Sequence, residues 1–304
     1  MPEIRIDGPD DNGGLGSTGS KQSLKTVLFS PVCTSPAILR ETLPDWFALR
    51  GVDEIWVYDD NKDPESSEIL KKAKVKILPA EDLLLSSREN SEYSTDEITH
   101  RWTKDSVKRV TQIKDFAIYL AGKAKANLFL IDADVAPHPD TVANLAEESG
   151  CHPRATIVGE VFWTQWAPGQ PYLPNAWMTH PYNFNGPDSL INLAKGYPIQ
   201  HVGGIGACTY IPRSAMEKGL AFKPIVGIPE SWWEDRTFCI RAAAKGVRLL
   251  ASTTHPPFHI YRESMIPECK DWKKAGRSKE WFLKNWLTDQ WRQQVTDLLS
   301  PKPQ

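Results

Sequence analysis

Short apolar runs separated by helical stretches constrain this chain more than any other feature. Thr26 to Ser30 (TVLFS), Glu54 to Tyr58 (EIWVY) and Leu128 to Ile131 (LFLI) have the length and character of buried strands. Each ends on a polar stop: Pro31, Asp59–Asp60 and Asp132-Ala133-Asp134. Between them, Pro36 to Leu49 places Leu39, Leu43, Trp46, Phe47 and Leu49 on a helical face. Val107, Val110, Ile113, Ala117 and Leu120 recur every three or four positions. Ser66 to Ala73 reads as a short helix and Val75 to Leu78 as a further strand. Strands alternating with helices at this spacing mean parallel βαβ units, hence an α/β fold with a mostly parallel central sheet flanked by helices. Ligands of such sheets sit beyond the carboxyl ends of the strands, where the three polar stops fall.

The second half is less regular. Glu160 to Asn185 is dense in aromatics and prolines and reads as surface loops, and His201 to Arg213 (HVGGIGACTYIPR) as a Gly-bent turn followed by a strand. Ser231 to Gly246 is expected to be a helix, Val247 to Ser252 a strand, Phe258 to Tyr261 one more, and Trp281 to Leu299 an amphipathic helix. The expected organisation is a flexible tail over 1–23 and a main domain over 24–270, divided at about residue 140. A C-terminal helical extension over 271–304 follows. Trp281, Trp286 and Trp291 fall five apart and wind around that last helix. Its cover is the core, a second subunit in a homo-oligomer, or a membrane surface met by the nearby lysines.

Bulk composition narrows the function classes. With 36 basic and 38 acidic residues in 304, general adhesion to nucleic acid is not expected. No apolar run approaches bilayer length. Five scattered cysteines without a CxxC pair favour reduced thiols and a cytoplasmic setting, and argue against a cysteine zinc site.

The chemistry-bearing groups are few. Asp132 and Asp134 either punctuate a turn or hold a hard divalent cation, which takes oxygen ligands and bridges carboxylates to phosphates. Glu234 and Asp235 follow Trp232–Trp233; they either favour the dipole of a helix start or form a partly desolvated base beside aromatic surface. His255 and His259 cannot form a helical HxxxH zinc pair, because Pro256–Pro257 interrupts it, so each is either a ligand or a hydrogen-bonded core histidine. Gly203, Gly204 and Gly206 fit neither a phosphate loop nor a dinucleotide fingerprint, and point to a tight turn or a close backbone approach. Lys104, Lys108, Arg109 and Lys114 mostly line a solvated helix face, from which one could reach a diphosphate. Trp163, Trp166, Tyr172, Trp177 and Trp233 offer a platform for a sugar ring, or loop packing.

Taken in order, the Pro31 strand, the Asp59–Asp60 strand, LFLIDAD, VGGIGAC, WWEDRTFCIRAAAKG and FHIYR resemble GT-A glycosyltransferases, particularly the family-2-like enzymes. The layout is also similar to fungal mannosyltransferases of the Anp1 type. The resemblance covers roughly residues 25 to 262. It implies a GT-A (Rossmann-like) fold with a smaller acceptor-side region, and a hexosyl-type transferase acting on a UDP- or GDP-type sugar donor and a hydroxyl acceptor. It implies donor contacts from Pro31, Val32, Asp59, Asp60, Arg109, Lys114, Asp132, Gly204 and Trp233. Mn²⁺ or Mg²⁺ would be bound by Asp132, Asp134 and His259, and Asp235 would be the base of an inverting reaction with Glu234 beside it. Lys114–Asp115 stands where many relatives carry Arg-Asn. The Anp1-like layout keeps a retaining reaction open. Rivals are a nucleotidyltransferase, disfavoured by PVCTSP after the first strand, and a non-catalytic sugar- or nucleotide-binding protein.

Overall fold

The computed structural model describes residues 24–79, 94–98, 100–170, 172–177, 199–228 and 233–286; the expected N-terminal tail and residues 287–299 of the expected last helix lie outside them. The principal elements are β1 (Thr26–Val32), α1 (Pro36–Phe47), β2 (Glu54–Asp59), α2 (Pro64–Lys72), β3 (Lys76–Ile77), α3 (Lys104–Lys123), β4 (Asn127–Leu130), α4 (Thr141–Gly150), β5 (Thr156–Glu160), β6 (Ile199–His201), β7 (Thr209–Ile211), α5 (Glu234–Ala244), β8 (Arg248–Ser252), α6 (Ile266–Lys274) and α7 (Lys279–Trp286).

Among the described residues the strands form one eight-stranded sheet in the order β6-β8-β5-β7-β4-β1-β2-β3. Strands β7 and β6 run against their neighbours and the other six run one way, so the α/β, mostly parallel expectation is met. The exception is informative: β7 enters between β4 and β5 antiparallel to both, where the sequence suggested only another strand.

Alternation along the strands sorts the core into two layers. Val27 and Phe29 of β1 pack with Leu128, Leu130, Ile113, Ala117 and Phe238 under α3 and α5. Leu28 and Val32 turn to the other face, with Leu39, Leu43 and Trp46 of α1 and Val142 and Leu145 of α4. Local stops agree with this arrangement. Ser35 caps α1 ahead of Pro36, Asp63 caps α2 ahead of Pro64, and Thr103 with Ser106 forms a capping box on α3.

A third cluster joins Trp163, Phe258, Ile260, Trp272, Trp281, Phe282 and Trp286. Residue 270, the expected boundary, lies within α6, and α6 and α7 both contribute rings to this aromatic cluster. Among the described residues no helix is long and apolar enough to cross a membrane. Among the described residues no two of the five cysteines are joined to each other by a disulfide.

Candidate active site

The carboxyl ends of β1, β2 and β4 lie side by side, because Val32 pairs with Asp59 and Phe29 with Leu130. Beyond them opens a cleft with two chambers. One, of about 170 Å³, is rich in charge and is lined by Pro31, Asp60, Arg109, Lys114, Asp132, Asp134, His100 and Tyr261 among others. The other, of about 390 Å³, is lined by Phe162, Trp166, Pro174, Trp177, Gly206, Trp233 and Asp235 among others. Trp102, Asp132, Trp166, Glu234 and His259 border both chambers.

Three charge clusters organise the first chamber. Asp60 receives Arg109 through Nε and Nη2 at 2.7–3.0 Å, a forked geometry that fixes both side chains. Lys114 Nζ donates to Glu234 Oε1 at 3.0 Å and Asp235 Oδ1 at 2.9 Å. Burial disfavours the lysine's charge, but Asp235, Glu234 and Asp132 more than offset it and hold Lys114 well above its ordinary value. His259 Nε2 lies 3.2 Å from Asp134 Oδ2, and its Nδ1 is 2.8 Å from the Thr164 hydroxyl. Burial pushes the Asp134 carboxyl up, but His259 and then His100 outweigh it, and the net direction is down.

The two acids of α5 differ in outlook. Both occupy its first turn, where the helix dipole favours negative charge. Glu234 is 12 % exposed; Asp235 is 28 % exposed and turned to the aromatic chamber. Burial pushes the Asp235 carboxyl up to about 7; Lys114 opposes the rise, and Glu234 and Asp132 add to it. Gly206 makes this position possible, because a Cβ there would lie 2.5 Å from Asp235 Oδ2. Asp132 is also raised, by burial first, with Lys114 pulling it down and Asp134 and Glu234 pushing it up.

Not every expected residue reaches the cleft. The Val32 side chain is fully buried in the core, while its carbonyl accepts the Asp60 N–H at 2.8 Å. Asp59 turns aside to accept from the N–H and Nδ2 of Asn61. Gly204 sits beneath the Trp177 ring, 2.1 Å from where its Cβ would be, so it seats an aromatic wall. Trp233 lines the aromatic chamber, not the charged one. Trp163 is buried against Phe282, and Tyr172 stacks on Trp286 at 4.1 Å, which leaves Trp166, Trp177 and Trp233 of the expected platform. Arg109 and Lys114 are buried, unlike Lys104 and Lys108 on the same helix.

Sequence reasoning missed Trp102 and His100. His100 belongs to a short antiparallel strand pair, opposite Thr95, stacks on Tyr261 at 3.7 Å and bonds the Tyr261 carbonyl through Nε2 at 2.7 Å. Nothing in the local sequence marks that placement.

For a divalent cation, Asp134, held low and paired with His259, fits as a two-residue seat of one oxygen and one nitrogen. Among the described residues, the three-residue group whose ligand atoms lie within 4.8 Å of one another is elsewhere: His138, Asp140 and His255.

No known protein family matches the sequence, and no curated protein matches it. Among solved structures, the 1–349 portion of S. aureus TarS is 13 % identical, with 76 % of this chain and 60 % of that chain covered and a TM-score of 0.40. The mannosyltransferase PcManGT from Pyrobaculum calidifontis, in complex with GDP-Man and Mn²⁺, is 13 % identical, with 92 % and 71 % covered and a TM-score of 0.46. A CMP:2-keto-3-deoxy-manno-octonic acid synthetase complexed with CTP is 10 % identical, with 83 % and 99 % covered and a TM-score of 0.43. At TM-scores this low the likeness carries no weight for activity, substrate or metal.

Proposed function

We propose that the protein is a glycosyltransferase that moves a sugar from a nucleoside-diphosphate donor in the charged chamber to a hydroxyl acceptor in the aromatic chamber. The observation that carries this reading is the partition of the acids. Asp134 lines the charged chamber and not the aromatic one; Asp235 does the reverse; Asp132 and Glu234 stand on the shared wall.

Group transfer from a diphosphate needs charge neutralised at the leaving group and a proton removed from the acceptor, on opposite sides of the reacting carbon for inversion. Asp134 and His259 would hold Mn²⁺ or Mg²⁺ with donor oxygens completing its shell, and the ion would act as a Lewis acid on the leaving diphosphate. Asp235 takes the acceptor proton: a carboxyl near 7 is partly ionised at neutral pH and still basic enough to work. Lys114 positions Asp235 and Glu234 and keeps the pair from repelling each other. Arg109 fixes Asp60 at the rim of the donor side. Trp166, Trp177 and Trp233 supply flat apolar surface suited to a sugar ring, with Gly206 letting the acceptor approach Asp235 closely.

The test is calorimetric titration with UDP and GDP, with and without Mn²⁺, together with a screen of sugar donors for released nucleoside diphosphate. Metal-dependent nucleotide binding with slow donor hydrolysis supports the reading. Tight sugar binding with no hydrolysis of any donor would replace it with a non-catalytic binding protein.

A further inference from the structure

The strand pair that brings Asp134 to His259 has a second end. Val135 pairs with His259 and Ala136 with Phe258, antiparallel. Four residues beyond Asp134 stands His138, and four residues before His259 stands His255. Their rings are stacked with centroids 4.3 Å apart and planes within 4°. Asp140 completes a group whose ligand atoms all lie within 4.8 Å of one another. None of the three lines either chamber of the cleft.

The donor set is richer in nitrogen than the one imidazole and one carboxylate of the cleft seat. Two imidazoles and one carboxylate suit zinc and its borderline neighbours better than magnesium or manganese. His138 Nδ1 lies 3.8 Å from Asp140 Oδ2. Two ligands of one tetrahedral zinc, with bonds of about 2.0–2.1 Å, stand roughly 3.3 Å apart, so a small rotation suffices. Among the described residues no hydrogen bond engages the His255 ring, whose backbone N–H is held at 2.7 Å by Glu160. Burial lowers both imidazoles, His138 to about 4 with His255, Arg277 and Arg50 contributing, which leaves ring lone pairs available at neutral pH.

Two contacts must give way. The Asp140 N–H donates to His138 Nδ1 at 3.1 Å, and Arg50 pairs with the Asp140 carboxylate. Arg50 is 68 % exposed and can leave for solvent.

We propose that His138, Asp140 and His255 form a second cation site, for a borderline divalent ion of the zinc class, which clamps the arm carrying Asp134 to the arm carrying His259. The site stands whether or not the cleft itself holds a metal. It makes the far end of the ladder a support for the near end.

The experiment is calorimetric titration of Zn²⁺ into chelator-treated protein carrying Asp134→Asn, which disables the cleft seat. One equivalent is expected to bind and to raise the melting temperature. Adding His138→Ala or His255→Ala should weaken binding by at least about tenfold, and adding Arg50→Ala should tighten it by removing the competing cation. If an alanine variant melts early without metal, His138→Gln and His255→Gln take its place. No binding below about 1 mM Zn²⁺, or equal binding with and without the two histidines, would overturn the proposal.

Discussion

In the charged chamber, several charged side chains already face opposite charge, Arg109 on Asp60 and Lys114 on Glu234 and Asp235, and the His259 ring lies beside Asp134. In the aromatic chamber the walls are rings, seated by glycines that admit them: Gly204 under Trp177, and Gly206 beside the Asp235 carboxylate. A ligand entering the first must exchange with existing ion pairs, so it has to bring charge of its own. A ligand entering the second gains chiefly by covering apolar surface. The contrast suits a diphosphate on one side and a sugar-like acceptor on the other, with the α5 acids between them.

The largest expected effect comes from breaking the charge balance. Lys114→Met leaves Glu234 and Asp235 without their cation in a buried setting. Urea unfolding at pH 7 should give a loss of about 3–5 kcal/mol, smaller at pH 5 where Asp235 is protonated. The acid limb of the activity profile, expected near 7 in the parent, should move upward because Lys114 lowers Asp235. A cost near zero would mean that the charged chamber does not depend on its ion pairs.

Behind the aromatic chamber, Asn175 donates to the backbone carbonyls of Glu160 and Gly206. The Glu160 side chain is buried, with Oε2 lacking a partner and the carboxyl raised by burial to about 7. The native state therefore holds a proton that the unfolded chain releases near 4.5. The resulting stability is complete below 4.5 and is lost as pH rises through about 7. Glu160→Gln should stabilise the protein at pH 8 by up to about 3 kcal/mol and change little at pH 4.5, as read from melts at both values. A gain equal at both values would show that the carboxyl's titration is not the cause.

Gly206→Ala sharpens the comparison at the boundary. The added methyl displaces the Asp235 carboxylate, and turnover should fall by about 10²-fold with nucleotide affinity unchanged. Trp177→Ala should act on the aromatic side alone, raising the acceptor KM by about tenfold with donor KM unmoved. A rise in donor KM instead would break the division of the cleft into two functions.

The regular half of the fold was legible because burial imposes periodicity: TVLFS, EIWVY and LFLI are strands, and the Val107–Leu120 pattern is α3. Strand direction was not legible, since β7 pairs on both sides with the same apolar alternation whichever way it runs. In the site, Asp134 and His259 meet as their order suggested, because the strand pair after the acids joins the FHIYR segment. Lys114 was read as solvated, as lone lysines usually are. Its place next to Ile113 and seven residues after Val107, within the apolar face of α3, was the available signal. Asp59 is a different case: composition marks a turn but does not say which way its side chains face, and here the carboxylate turns to Asn61.

The most direct measurement is donor turnover and nucleotide binding by Asp235→Asn. The account predicts a fall in transfer of about 10²–10⁴-fold, with Mn²⁺-dependent binding of UDP or GDP unchanged. Near-normal turnover, or loss of nucleotide binding together with activity, would contradict a base that belongs to the acceptor side of the cleft.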